Sequence, residues 1–592
     1  MDLKNEKRLF ELLYRLVVRG KCAKEKTPYY PQKTECCTNV SDAPSLELYS
    51  PESVGVSSEY ITSLLKELEK SSEYLHTVVI LCKGKKIAEA AAPGYSTHRR
   101  HVTHSLAKSV TLLAVGMLVD EGRLKLSDLA CELLGVKASS KTHSITVEDL
   151  LTMRTNVVFS EVLGAVTEDN WIKAFFSSSV KNEPGTGFAY NSMNSYILSA
   201  IVQKLTGQNL SEYLRPRLWE PLGITNIFWE KCPHGIDKGG WGLYISTEDM
   251  AKIGQLVLQK GVWNDKRLIS ESWLSVATTP HVLLPENQAH FDYGYQLWVS
   301  ADRNGILFNG MFGQNVWVCP KTEWVVSYNS GTDEMFLHNG ALAAVMNYSS
   351  DACSTMPEPL PESPKQLEKL RNASESFMSS RNWLRLPTKI ECSGALTNTP
   401  RVNIEKTIKG FLGNWRTREN NIGFLPLVMR VLQNNHSKGI NSISLLQRSP
   451  SELTLITNEG DEKTSINIGF ERYTENLINY RGEPYRVLAA AQFSKTDNNR
   501  PVLKIDIKFP EHSSTRRMMF YPDSNNMRIR LSETPGVTVF SNLTNVTHLV
   551  MPYFTALIDK LRPSFLHTSI PKKFKSAFSP TIIATRIEPN NL

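Results

Sequence analysis

The chain has 592 residues, 41% of them hydrophobic, and a formal net charge of +8. That length exceeds one ordinary domain and that hydrophobic share supports packed cores, so two or more globular domains are expected and a disordered or fibrous chain is excluded. Over such a length the positive excess is mild: no nucleic-acid partner is expected, and Arg516, Arg517 and the cluster Lys572, Lys573 and Lys575 read as solvated basic surface.

Residues 1–45 read as a polar N-terminal extension. Its apolar stretch Leu9–Val18 is interrupted by Glu11 and Arg15, the pattern of an amphipathic helix rather than a signal peptide, and Pro28-Tyr29-Tyr30-Pro31 predicts a loose stretch. No segment offers about 20 uninterrupted apolar residues, so no membrane span is expected and a cytoplasmic location is the default. The nine cysteines are odd in number and irregularly spaced, which predicts reduced thiols and no metal site; His234 beside Cys232 lacks a second ligand pair, and no cofactor is expected.

From residue 46 to 350 the pattern is α+β. Thr77–Leu81, the turn at Lys83-Gly84 and Ile87-Ala88 predict a hairpin. Helical segments follow at 105–120, 146–153, 192–204 and 246–260. Strands return at Gln314–Cys319 and Trp324–Tyr328, and a helix is expected near 337–347. Strands at both ends with helices between them predict an α+β domain, its sheet completed by distant segments. Residues 351–385 read as a Pro-rich linker followed by a short helix, with prolines at 357, 359, 361 and 364. Beyond it, residues 386–592 turn to strands. Leu503, Ile505, Ile507 and Phe509 alternate with Lys504, Asp506 and Lys508, a half-buried strand with its polar face in water. With turns such as Asn458-Glu459-Gly460-Asp461 this predicts a small antiparallel barrel or sandwich.

The segment richest in chemistry is His104-Ser105-Leu106-Ala107-Lys108-Ser109-Val110, which opens an apolar run to Val119. Three residues are close to one helical turn, so Ser105 and Lys108 point the same way. A serine hydroxyl needs a base, and a lysine serves only if burial or a neighbouring cation keeps it neutral. The same spacing at Ser63/Lys66, Ser178/Lys181 and Ser569/Lys572 lacks the apolar helix and reads as solvated.

Several blocks together resemble the serine β-lactamase/penicillin-binding-protein superfamily, in its class C β-lactamase-like branch of esterases, D-aminopeptidases and nylon-oligomer hydrolases. They are Pro51-Glu52-Ser53-Val54-Gly55, the Ser105/Lys108 segment, Ile145–Met153, Pro184-Gly185-Thr186-Gly187-Phe188-Ala189-Tyr190-Asn191-Ser192, Gly240-Trp241-Gly242-Leu243 with Asp249–Gly254, and Gly310-Met311-Phe312-Gly313-Gln314. The resemblance covers about residues 46–350 and implies a β-lactamase-like domain, an antiparallel sheet flanked by helices plus an all-helical lobe, with the C-terminal domain similar to lipocalin-like appendages. It implies Ser105 as nucleophile, Lys108 and Tyr190 as the base system, and the backbone N–H groups of Ser105 and Met311 as the oxyanion hole. Ser192 and Asn194 are expected to support Lys108 or to cap a helix. Trp241, Tyr295, Gly310 and Phe312 are expected near substrate or, for the aromatics, in the core.

Two departures bear on substrate. Tyr-x-Asn is replaced by Tyr190-Asn191-Ser192, and the third motif has Asn309 before Gly310 and Phe312 where the branch offers a Lys or His. A cation that would hold a substrate carboxylate is missing. The expectation is a serine hydrolase acting on a small ester or amide. The alternatives are a catalytically weak binding or regulatory protein on the same fold, or a β-lactamase or D-Ala-D-Ala peptidase-type enzyme. Oligomeric state stays open.

Overall fold

The structure, a computed structural model, describes residues 31–33, 36, 45–72, 74–159, 168–284, 290–302, 304–333, 337, 340–351, 359–379, 404–433, 435, 437–496, 498–536 and 579–587. The helix expected at Leu9–Val18 and the lysines at 572–575 lie outside them. The chain divides into two compact units, which among the described residues hold 45–379 and 31–36 with 404–587. The whole is α+β: a β-lactamase-like unit and a separate barrel.

In the first unit, helix α1 (Ser58–Ser71) precedes strands β1 (Leu75–Cys82) and β2 (Lys85–Ala91). Helices α2 (Ala107–Asp120), α3 (Val147–Leu151), α4 (Trp171–Ser177), α5 (Ser192–Thr206) and α6 (Thr247–Leu258) follow. Then come β3 (Phe291–Tyr293), β4 (Trp298–Ser300), β5 (Ile306–Gly310), β6 (Gln314–Cys319), β7 (Trp324–Ser330) and helix α7 (Gly340–Asp351). The sheet order is β2-β1-β7-β6-β5-β4-β3, so the N-terminal hairpin closes on the last strand, with Val78 opposite Tyr328 and Ile80 opposite Val326.

β1, β5, β6 and β7 are buried at every position, because helices cover both faces. Successive side chains on a strand point to opposite faces. Val316, Val318 and Val325 meet α6 at Gly254, where an added Cβ would lie 2.6 Å from Val316. Trp317, Cys319, Trp324 and Val326 share the other core with Ile61, Leu64, Leu65 and Leu68 of α1. The helix after the Pro-rich segment, α8 (Pro364–Glu375), joins this second core: Leu370, Phe377 and Met378 are buried in it, and the Leu360 N–H donates to Glu52 O at 2.9 Å.

The second unit contains β8 (Gly413–Thr417), β9 (Ser442–Ser449), β10 (Glu452–Glu459), β11 (Glu462–Phe470), β12 (Thr474–Tyr480), β13 (Glu483–Lys495), β14 (Pro501–Lys508), β15 (Thr515–Asp523), β16 (Asn526–Thr534) and β17 (Thr581–Arg586). They run β11-β10-β9-β8-β17-β16-β15-β14-β13-β12, and a parallel pairing of Gly469 and Phe470 of β11 with Ala490 and Ala491 of β13 closes a 9-strand barrel, with β12 paired to β13 outside the ring. Leu503, Ile505 and Ile507 point inward with Ile443, Leu445 and Ile529.

The polar face of β14 departs from expectation. Lys504, Asp506 and Lys508 are 2%, 0% and 3% exposed rather than solvated. Arg516 and Arg517 are buried too, paired with Glu533 and Asp506, so they are not basic surface. Alternation reports that the two faces of a strand differ in polarity, and buried ion pairs meet that condition without water. Part of the N-terminal extension belongs to this unit. Lys33 Nζ lies 3.1 Å from Glu511 Oε2 and 4.7 Å from the centre of the Tyr485 ring. Glu483 accepts from the backbone N–H groups of Gln32 and Lys33. Among the described residues no helix is long and apolar enough to cross a membrane.

A chain ending at Ser379 is expected to keep the first unit folded. One ending at Asp351 strips Leu370, Phe377 and Met378 from the core and is expected to melt roughly 5–10 °C lower. Equal melting temperatures of the two truncations would show that α8 adds nothing to that core.

Candidate active site

α2 is buried from Ala107 through Leu118, which is why its sequence is apolar on nearly all sides. Its entry is fixed by the short strand His101–Val102, which pairs with Leu243–Ile245, and by Thr103, whose backbone N–H and hydroxyl both donate to Leu243 O at 2.8 and 2.9 Å. A single 3-10 turn, His104–Leu106, then carries Ser105. Midway along α2, Gly116 lies under the Trp273 indole, where an added Cβ would sit 2.1 Å from Nε1.

Lys108, 1% exposed, reaches three acceptors from three segments: Ser105 Oγ at 2.9 Å, Ser192 Oγ at 2.8 Å and Gly240 O at 2.8 Å. Its nitrogen also lies 4.9 Å from the centre of the Tyr190 ring. A carbonyl only accepts, so one N–H must point to Gly240. As an ammonium the nitrogen donates to all three; as a neutral amine, with its two N–H groups on Gly240 and Ser192, it turns its lone pair to the Ser105 hydroxyl. The arrangement can therefore take a proton from Ser105. The other Ser-x-x-Lys pairs differ as expected where described: Lys66 and Lys181 are exposed.

The Gly240 carbonyl reaches Lys108 because Gly239 and Gly240 press against α5. A Cβ on either would come within 2.6 Å of a helix carbonyl, that of Ser195 or Ser192, while Gly239 O accepts from Thr111 Oγ1 at 2.7 Å. The start of α5 is capped by Asn191, whose side chain accepts from the Met193 N–H at 2.9 Å and donates to Val157 O and Phe159 O. Ser192 and Asn194 are thus not the caps. Asn194 does not reach Lys108 either: it accepts from Thr155 Oγ1 at 2.8 Å and donates to Met153 Sδ at 3.3 Å.

The aromatic residues separate into wall and core. Tyr190 stacks on Trp298 at 5.8 Å and meets Tyr293 edge-on at 6.2 Å. Burial raises the Tyr293 hydroxyl pKa well above its usual value, as does the nearby Tyr190. Trp241, half-buried, stacks on Trp171 at 5.7 Å. Tyr295 belongs to the core instead: its hydroxyl donates to Glu148 at 3.0 Å and its ring stacks on His281 at 4.0 Å. Burial first, then the Glu148 charge, raises its pKa.

The third motif ends β5. Gly310 has no room for a side chain, since a Cβ would sit 2.1 Å from Thr103 O. Asn309, at the place of the missing cation, donates to Asn315 Oδ1 at 2.7 Å. Phe312 follows Met311 in the left-handed region (φ 65°) and meets His104 edge-on at 5.2 Å. Burial, then His101 and Lys108, hold the His104 pKa down to about 3, so that ring is neutral.

Sequence reasoning missed Gln296. Its side chain donates to Leu150 O and Leu151 O at 2.9 and 3.1 Å and accepts from Ser195, while its carbonyl accepts from Ser109 at 3.0 Å, tying α2, α3 and α5 together. The signal available was one amide inside an aromatic run. As to metals, among the described residues Glu89, His98 and Glu248 offer three ligand atoms together. Lys86 Nζ, 2.6 Å from Glu248 and 3.4 Å from Glu89, already supplies the positive charge there.

Residues 63–344 match the family model described as Beta-lactamase. The 6-aminohexanoate-dimer hydrolase of Paenarthrobacter ureafaciens is 25% identical over 301 residues, 45% of this chain and 75% of that protein. The putative penicillin-binding protein PbpX of Bacillus subtilis is 25% identical over 240 residues, 35% of this chain and 59% of its own length. A solved putative 6-aminohexanoate-dimer hydrolase from Bacillus anthracis aligns with TM-score 0.45 at 20% identity, covering 57% of this chain and 93% of the other. Over residues 63–344, then, this chain is similar to the beta-lactamase family of hydrolases.

Proposed function

We propose that the chain is a serine hydrolase that works through an acyl-enzyme on a compact, uncharged ester or amide. One observation carries the reading: a buried lysine nitrogen that lies 2.9 Å from a serine hydroxyl and also bonds Ser192 and Gly240. Ser105 Oγ attacks the substrate carbonyl as its proton passes to Lys108. The oxyanion forms between the backbone N–H groups of Ser105 and Met311. It collapses with departure of the alcohol or amine, which takes a proton relayed from Lys108 through the Tyr190 hydroxyl. Water then repeats the sequence on the acyl group. Ser192 in place of an amide suits this role, because a hydroxyl accepts from the lysine in either protonation state.

The third motif supports a neutral substrate. Asn309 offers no charge and is bonded to Asn315, so a substrate carboxylate finds no cation at that place. The name of the Paenarthrobacter relative supports amides as one substrate class, with an amine as the leaving group.

Ser105→Ala is expected to abolish both hydrolysis of a p-nitrophenyl ester and labelling by a fluorophosphonate, with the protein still folded. Labelling that persists at another serine overturns the assignment. Lys108→Ala and Tyr190→Phe are each expected to slow acylation by about a hundredfold or more, and the wild-type rate to fall with falling pH as Lys108 becomes protonated. A Tyr190→Phe enzyme with normal rates would make Tyr190 structural only. Gly240→Ala is expected to push the 239–240 backbone away from Ser192, withdraw the carbonyl from Lys108 and cut kcat about tenfold or more. Unchanged kcat would mean that carbonyl does not orient the amine. Turnover of benzylpenicillin matching that of the neutral ester would refute the substrate class.

A further inference from the structure

We propose that His104 and Phe312 are a positioning pair that holds the two oxyanion donors, the N–H groups of Ser105 and Met311, in register through the contact of their rings. The inference rests on the reading of Ser105 and Met311 above and adds two residues to it.

The two donors come from chain segments some two hundred residues apart, each on a tight turn. Their separation is therefore set only by whatever ties one turn to the other. His104 immediately precedes Ser105, and Phe312 immediately follows Met311. Both hold the left-handed conformation, φ 49° and 65°, which a residue with a Cβ adopts at a cost and glycine adopts freely. At each of these positions the chain nevertheless carries a ring, and the rings are 7% and 2% exposed. They meet edge-to-face, centroids 5.2 Å apart at 85°, the favoured geometry for such a pair.

The backbones beside them also touch. Gly310 lies so close to Thr103 that a Cβ would sit 2.1 Å from its carbonyl. The Phe312 turn is pinned from behind: Gln314 Nε2 donates to Met311 O and Phe312 O, each at 3.2 Å, and the Thr332 N–H donates to Phe312 O at 3.2 Å. Backbone contact thus fixes one side of the junction, and the ring pair fixes the side nearer the donors. Strained backbone persists where the surrounding structure over-determines it. Because the two N–H groups matter most when charge develops on oxygen, loosening their register slows kcat more than it weakens substrate binding.

The experiment uses the full chain, p-nitrophenyl acetate as substrate and a fluorophosphonate as probe of Ser105. H104G and F312G keep the φ angles and remove the rings. Each is expected to lose about 10- to 100-fold in kcat, with KM changed less than about threefold. H104F, which restores a ring, is expected to recover most of what H104G loses, and the H104G/F312G double variant to fall no further than either single one. F312L keeps apolar volume without an aromatic edge and is expected to lose kcat like F312G; it serves if the glycine variants melt. Wild-type kcat in folded H104G and F312G, or in folded F312L, overturns the pairing. Losses that multiply in the double variant do the same, because they would mark two independent effects. A wild-type protein that neither hydrolyses the ester nor is labelled at Ser105 instead overturns the reading of the site, and the pairing with it.

Discussion

An amine withdrawn from water must have its polar groups met by the protein, and Lys108 is the point on which the first unit turns. Burying it without partners would be prohibitive. Three segments far apart in sequence therefore converge on one nitrogen: the head of α2 brings Ser105, the head of α5 brings Ser192, and the 239–240 loop brings a carbonyl. That convergence sets unusual demands on packing. Gly239 and Gly240 are glycines because α5 passes within contact of their Cα atoms, and Gly310 is one because Thr103 does the same. Around the site, side-chain identity yields to the need for backbones to approach.

Much of this was legible. The serine–lysine spacing on an apolar run located both residues, and the long apolar strands and helices placed the sheet. Asn194 was misread for a geometric reason. Residues two apart on a helix point roughly 200° away from each other, so an α5 that turns Ser192 toward Lys108 turns Asn194 away. Ser195, one turn on from Ser192, packs against Gly239 and bonds Gln296 instead. For the aromatic run the sequence left pocket and core both open, and its members divide: Tyr293 and Trp298 reach Tyr190, while Tyr295 turns to Glu148 in the core. Periodicity finds a run of side chains; only tertiary contact says which of them meets the site.

In the barrel, the alternating pattern located strands and inward faces correctly and misjudged the outward ones. On the outward face Asp506 pairs with Arg517; a second buried pair, Glu533 with Arg516, lies on the inward face beside Met518 and Leu531. Charged residues carry no mark in a sequence that distinguishes a solvated face from a paired one, and opposite charges on adjacent strands β14, β15 and β16 become a hint only once their register is known.

The salt bridge between Lys33 and Glu511 has a temporal side. Its partners are 478 residues apart in the chain. Translation adds about 5–20 residues per second, so the early segment spends roughly 25–95 s without its carboxylate while the intervening polypeptide is made. The first unit is complete in sequence well before that and can fold while the segment waits. The barrel cannot assemble its whole buried polar set until nearly all of its strands have left the ribosome. Any factor that shields the early segment during that interval would act on the yield of the second unit and leave the folding of the first untouched.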